Sequence, residues 1–129
     1  MFWPVFLISL VLDQISKLIA AAYLETDLNS GISFGWLSEL SSETMTVLLV
    51  FLAIAIAYLL KKEWRRHPAI YGLFWAGVIS NLLDRIFFGG VIDWISLPYL
   101  EIKNNLADFY LFISLILLLI KEFKGRYEG

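Results

Sequence analysis

Asp13, Lys17, Asn81, Asp84, Arg85, Asp93, Asn105 and Asp108 stand inside or beside the long apolar stretches of this 129-residue sequence. An ionisable group at membrane depth costs several kcal/mol unless it is paired or hydrated, so each of these residues marks either packing or function. Asp13 and Lys17 are an acid and a base four residues apart, on one helical face with Gln14 and Ser16 close by, and can neutralise each other. Asn81, Asp84 and Arg85 share a face by the same spacing. Two readings of Asp13/Lys17 and Asp84/Arg85 stay open: buried ion pairs that fix helix packing, or direct participants in chemistry. Setting both pairs aside leaves Asp93 and Asp108 without an obvious cation in sequence. Two carboxylates brought together in a partly desolvated site cannot both ionise comfortably, so they share a proton. That is the acid/base arrangement with which an aspartic protease activates water.

Other chemistries have fewer residues to draw on. The single histidine, His67, lies in a basic turn before Pro68, on the opposite side from the polar layer, which excludes a Ser-His dyad there and leaves it an interfacial residue. The sequence has no cysteine, so it can form no disulfide, thiolate zinc site, iron–sulfur cluster or thiol nucleophile. A metal would have to be held by carboxylates and amides alone, with no recognisable loop, and neither a metal nor another cofactor is expected. A net charge of -2 and a pI near 5.3 leave no basic face for nucleic acid.

The elements that must carry these residues are membrane helices. Hydrophobic residues make up 60% of the chain and charged ones 17%, with mean hydropathy +0.76, far from the composition of a soluble domain. A bilayer core about 30 Å thick needs roughly 20 apolar residues in a helix. Residues 2–24, 44–60, 69–88 and 106–120 qualify as four transmembrane helices of one domain spanning 1–129, the last short enough to require a locally thinned bilayer. The first is not expected to be a cleaved secretory signal, since no Lys or Arg precedes it and Asp13 and Lys17 interrupt it.

Orientation follows from the cations, which cytoplasmic loops retain. Lys61, Lys62, Arg65 and Arg66 follow the second segment, and Lys121, Lys124 and Arg126 follow the fourth. The stretch 25–43 holds acids and no Lys or Arg, and 89–105 offers only Lys103. Both termini are therefore expected in the cytoplasm and both irregular loops outside. Trp3, Tyr23, Trp36, Trp94 and Tyr99 fall where interfacial aromatic belts belong, with Trp64 in the inner one. Phe34, Gly35, Trp36, Leu37 and Leu40 could form a short amphipathic turn on the outer surface, able to cover a membrane-level site. Helical rise from the cytoplasmic boundaries puts Asp13 at roughly 17 Å, Lys17 at roughly 22 Å, Asn81 at roughly 18 Å, Arg85 at roughly 24 Å and Asp108 at roughly 20 Å. One polar layer in the outer half of the bilayer results. Asp93, beyond the third segment, must fold back on a loop or strand to reach it.

These residues match a known family. Asp13-Gln14-Ile15-Ser16-Lys17 resembles the DQxSK element of lipoprotein signal peptidases (signal peptidase II), and Asn29-Ser30-Gly31-Ile32-Ser33-Phe34 resembles their NxGxAF element. Asn81-Leu82-Leu83-Asp84-Arg85 with Gly90-Val91-Ile92-Asp93-Trp94 is similar to the NLxDR and VxDF block, and Asn105-Leu106-Ala107-Asp108 to the NxAD block. Each box alone is weak; four in order, from the first helix to the last, are strong. Ser33, Ser80, Asn104 and Phe109 depart from the family's usual residues, which bears on substrate and inhibitor range more than on chemistry.

The resemblance implies an all-α membrane protein of four transmembrane helices with a small extracytoplasmic β-cradle, from parts of 27–34, 91–96 and 100–104, and a short periplasmic amphipathic helix near 35–40. It implies an aspartyl endopeptidase of the bacterial inner membrane, with Asp93 and Asp108 catalytic. Asn29, Gly31, Asn81, Arg85 and Asn105 would bind substrate, with Asp13, Lys17 and Asp84 supporting. The implied substrate is a diacylated prolipoprotein cut on the N-terminal side of its lipidated cysteine, with membrane lipids as the other partner and a monomer as the default state. Two rivals remain at this level: a proton or ion pathway, which would spread ionisable groups along the full membrane depth, and a catalytically silent lipoprotein-binding relative, which need not keep both aspartates.

Overall fold

The computed structural model describes residues 1–29, 39–97, 99 and 102–128. The described elements are α1 (Phe2–Tyr23), β1 (Asp27–Asn29), α2 (Ser42–Leu59), α3 (Lys61–Arg66), α4 (Pro68–Phe88), β2 (Val91–Asp93), β3 (Ile95–Leu97), β4 (Ile102–Asn104) and α5 (Leu106–Glu128). The chain is mostly helical, and α1 and α2 are each long and apolar enough to cross a membrane. Helix α4 is central: α1 and α5 pack along it, and α2 leans on it more lightly.

Local chemistry sets the helix ends. The Ser41 side chain accepts from the Thr44 amide and caps α2. Pro68 opens α4, where its missing N–H costs nothing, and Gly89 closes it in the left-handed region at φ 76°, its amide returning to the Arg85 carbonyl. Helix α3, not foreseen in the basic stretch after the second segment, contains an i,i+3 pair, Arg66 to Glu63 at 3.3 Å, and ends before Pro68. Its Trp64 is buried and stacks on Tyr71 and Phe74 at centroid distances of 5.1 and 5.0 Å, pinning α3 to α4. Helix α5 continues past 120 to Glu128, because a charged residue ends an apolar stretch without ending a helix.

Two glycines let the helices approach. A Cβ on Gly72 would lie 2.6 Å from the Phe2 carbonyl oxygen, and one on Gly77 would lie 2.8 Å from that of Ala107. The result is inverted relative to a water-soluble bundle. Leu7, Ile8, Val11, Leu12, Ile15, Leu18 and Ile19 of α1 face outward, whereas Asp13, Lys17, Ser80, Asn81, Asp84 and Arg85 are buried. The strands form two antiparallel pairs, β1 with β2 and β3 with β4, in registers Asp27↔Asp93 and Ile95↔Asn104. This is where parts of the cradle were expected; Gly31 and the amphipathic segment at 35–38 lie outside the described residues.

Candidate active site

Asp93 ends β2 and is 3% exposed. Its strand is brought over the helices by the turn after Gly89 and held there by β1. Gly90 permits that close pairing, since a Cβ on it would meet the Asn29 carbonyl oxygen at 2.9 Å. Asp108 lies in the first turn of α5, within a reciprocal cap. The Asp108 amide donates to Asn105 Oδ1 at 3.0 Å, and the Asn105 amide donates to Asp108 Oδ2 at 3.2 Å. This is capping-box logic with Asn at the cap and Asp three residues on, so the NxAD spacing builds the helix start as well as the site. The same Asn105 donates from Nδ2 to Asp93 Oδ1 at 2.8 Å. One side-chain amide therefore holds a strand aspartate and, through the cap, a helix aspartate.

Further donors converge. Asn81 Nδ2 reaches Asp108 Oδ1 at 3.2 Å, and the Asn29 side chain hydrogen-bonds the Asp93 carboxylate. Burial, aided by the neighbouring Asp108 charge, pushes the Asp93 carboxyl up to about 7, against the opposing pull of Asn105, Asn29 and Lys17. Arg85 is near all three acids of this end, its interaction strongest with Asp108, then Asp93, then Asp84. Asp84, paired with Arg85 in one reading of the sequence, also takes a cation from α1, with Lys17 Nζ at 2.8 Å, and Arg85 acts on Asp108 and Asp93 as well as on Asp84. Adjacent residues on a helix point about 100° apart, which lets the two diverge.

The Asp13/Lys17 pair forms as its spacing predicts, at 2.6 Å, with both side chains fully buried. Lys17 also donates to Asn81 Oδ1 at 3.1 Å. Asp13 accepts from the Ala107 amide at 2.9 Å and from the Ser80 hydroxyl. Asp84 accepts from the Ile92 amide at 3.1 Å and from Gln14 Nε2 at 3.1 Å, and Gln14 reaches Ser80 Oγ at 2.8 Å. Gln14 and Ser80 were not singled out as site residues. Gln14 was signalled by its place in the DQxSK element, and Ser80 only by its position before Asn81. Of the sequence-derived set, Asn29, Asn81, Arg85, Asp93, Asn105 and Asp108 come together, and Asp13, Lys17 and Asp84 lie immediately behind them.

A groove of about 290 Å³ runs between α2, α4 and α5. Val50, Ala53, Ile56, Phe74, Val78 and Leu111 line it, with Asn81, Arg85 and Asp108 contributing polar groups from the end that carries the acids. The geometry offers two acids of differing environment, fixed amide donors, a guanidinium and an apolar slot.

A sequence profile of the family described as signal peptidase (SPase) II matches residues 5–124. The chain belongs to the signal peptidase II family. A lipoprotein signal peptidase of Campylobacter jejuni subsp. doylei is 32% identical over 143 aligned residues, which cover 97% of this chain and 89% of that protein. One from Microcystis aeruginosa is 33% identical over 150 aligned residues, 97% of this chain and 93% of its own. A solved structure described as a bacterial membrane enzyme superposes with a TM-score of 0.83 at 23% identity, covering 99% of this chain and 90% of that one, a likeness of fold. As a signal peptidase II, the protein is an aspartic peptidase of a bacterial membrane.

Proposed function

We propose that Asp93 and Asp108 are the catalytic pair of this signal peptidase II, which removes signal peptides from diacylglyceryl-modified prolipoproteins on the N-terminal side of the lipidated cysteine. The observation that carries the assignment is Asn105, whose one side chain touches Asp93 and caps the helix turn that holds Asp108. A carboxyl pushed up to about 7 beside a second carboxylate is poised to share one proton near neutral pH.

In this mechanism a water lies between the two acids. The ionised one takes a proton from it as the water oxygen bonds to the scissile carbonyl carbon, and the protonated one donates to the carbonyl oxygen. The tetrahedral intermediate collapses when the C–N bond breaks: the departing amine, that of the lipidated cysteine, takes a proton from one acid while a hydroxyl of the intermediate returns its proton to the other. Asn29, Asn81, Arg85 and Asn105 orient the peptide or the lipid ester, with Gly31 assigned to the same role by family resemblance. Donors fixed in a low-dielectric site stabilise developing charge without reorganising. Asp13, Lys17 and Asp84 support them. The groove suits the apolar part of the substrate: from Phe74 to Arg85 it follows about 16 Å of helix, a length an acyl chain or an apolar peptide segment can fill. No metal or cofactor enters the scheme.

Four membrane crossings, by α1, α2, α4 and α5, fit this chemistry, with both termini cytoplasmic, the active site toward the outer side and a monomer as the working unit. Support comes from the outward-facing apolar side chains of α1 and from the basic residues of α3 and the end of α5. The test is cleavage of a diacylated prolipoprotein by purified protein in the presence of chelator. Asp93→Asn and Asp108→Asn should each lower turnover by roughly 10³-fold or more while the helical fold is retained. Full activity in either variant overturns the pair.

A further inference from the structure

Lys17 contacts neither aspartate of the pair directly, yet its three ammonium hydrogens match three acceptors that each lead to one of them. The side chain is 1% exposed and reaches Asp13 at 2.6 Å, Asp84 at 2.8 Å and Asn81 Oδ1 at 3.1 Å. Asp13 accepts from the amide of Ala107, the residue before Asp108, and Asp84 from the amide of Ile92, the residue before Asp93. By donating to Asn81 Oδ1, Lys17 also decides which way that amide points, so that Nδ2 faces Asp108 Oδ1 at 3.2 Å. With that amide reversed, an oxygen would face the carboxylate.

We infer that Lys17 is a positioning residue for catalysis. Clamped between Asp13 and Asp84, it sets the backbone that presents both Asp108 and Asp93, fixes the Asn81 amide, and biases the proton shared by the pair. The inference rests on Asp93 and Asp108 being that pair. A simple packing role would need only that a buried cation be matched by a buried acid, which Asp13 provides within α1. It does not account for the second acid from α4, nor for both acids accepting the amide immediately preceding a catalytic residue. Two carboxylates around one ammonium leave an excess of negative charge, which well-packed neutral groups would avoid; amide donors and the Ser80 and Gln14 side chains satisfy it. The ammonium also acts across space on the Asp93 carboxylate.

The test is the pH–rate profile of prolipoprotein cleavage, read together with kcat, KM and thermal unfolding in detergent. Lys17→Met/Asp84→Asn removes one charge of each sign, so the cluster keeps its net charge and a chance to fold. It should lose on the order of 10²-fold in kcat with KM little changed, as expected for reacting groups displaced by about an ångström. Opposite charges are lost together, so its acid limb should stay close to that of the wild type. Asp84→Asn alone removes one negative charge and leaves Lys17 against a single carboxylate, so its acid limb should move to lower pH. A packing role lowers the melting temperature without a selective loss of kcat. Wild-type kcat in the double variant, or an acid limb in Asp84→Asn that stays in place or rises, overturns the inference even if the double variant does not fold. Activity persisting in Asp93→Asn or Asp108→Asn would instead overturn the pair itself.

Discussion

Asp93 and Asp108 interact in a buried site, and the consequence is legible in acid stability. The Asp93 carboxyl rises from an ordinary 3.8 to about 7, chiefly because β2 buries it and secondarily because Asp108 is near. The folded protein therefore holds this proton over a pH range in which the unfolded chain has released it. Stability from this group is fully present below about pH 4 and is lost as pH rises through about 7, the folded value. An asparagine carries no such dependence and can still accept from Asn105. The thermal midpoint of Asp93→Asn, minus that of the wild type, should grow from pH 4 to pH 7 and level off above. A pH-independent difference would remove burial as the cause. An opposition between catalysis and stability at one residue is what the proposed role of Asp93 entails: the substitution proposed to end turnover should make the neutral-pH protein harder to melt.

Helices and strands carry these groups, and their junctions are where a small change travels farthest. Gly77 on α4 faces the first turn of α5, where a Cβ would lie 2.8 Å from the Ala107 carbonyl oxygen and 2.8 Å from Leu111 Cγ. The backbone oxygen cannot rotate away, so Gly77→Ala should push out the turn that carries Asp108. A loss of about 1–3 kcal/mol in stability is expected, with a disproportionate fall in kcat. Gly125, near the end of α5 with nothing within 4 Å of an added Cβ, is the control: Gly125→Ala should stabilise by up to about 1 kcal/mol and leave turnover alone. Equal effects of the two would show that helix propensity, not the close approach, decides. The long helices were readable from apolar runs almost to the residue, 69–88 against Pro68–Phe88 for α4. The end of α5 and all of α3 were not, because there the helix continues through charged residues and hydropathy marks a boundary the backbone does not share. Strand β2 was readable only by resemblance. Three residues whose partner lies far away in sequence carry almost no periodic signal, and pairing with β1 is what makes them a strand.

Across the whole molecule, polarity is turned inward. The acids and amides that identify the site lie inside, beside a small apolar core around Trp64 and Phe74, and many large apolar side chains lie outside. The site residues could be collected from the sequence for that reason: in a soluble domain a buried aspartate is one of many polar residues, whereas in an apolar run it is conspicuous. The partners of each acid were less legible. Helical spacing finds Lys17 for Asp13, but which acid Arg85 serves depends on how helices and strands assemble. An outward apolar face is stable only against lipid, and closed helices satisfy their backbone there. In the proposed arrangement of four crossings, the α1–α2 connection and the α2–α4 connection lie on opposite sides of the membrane. The sequence contains no cysteine, so single replacements report on this without background. Leu40 and Lys62 are both exposed, one before α2 and the other in α3 beyond its far end. A membrane-impermeant maleimide added to intact spheroplasts should label Leu40→Cys and spare Lys62→Cys until the membrane is opened. Labelling of both from outside would place the two connections on one face, and α2 would then lie along the membrane instead of crossing it, leaving its side of the groove open to water.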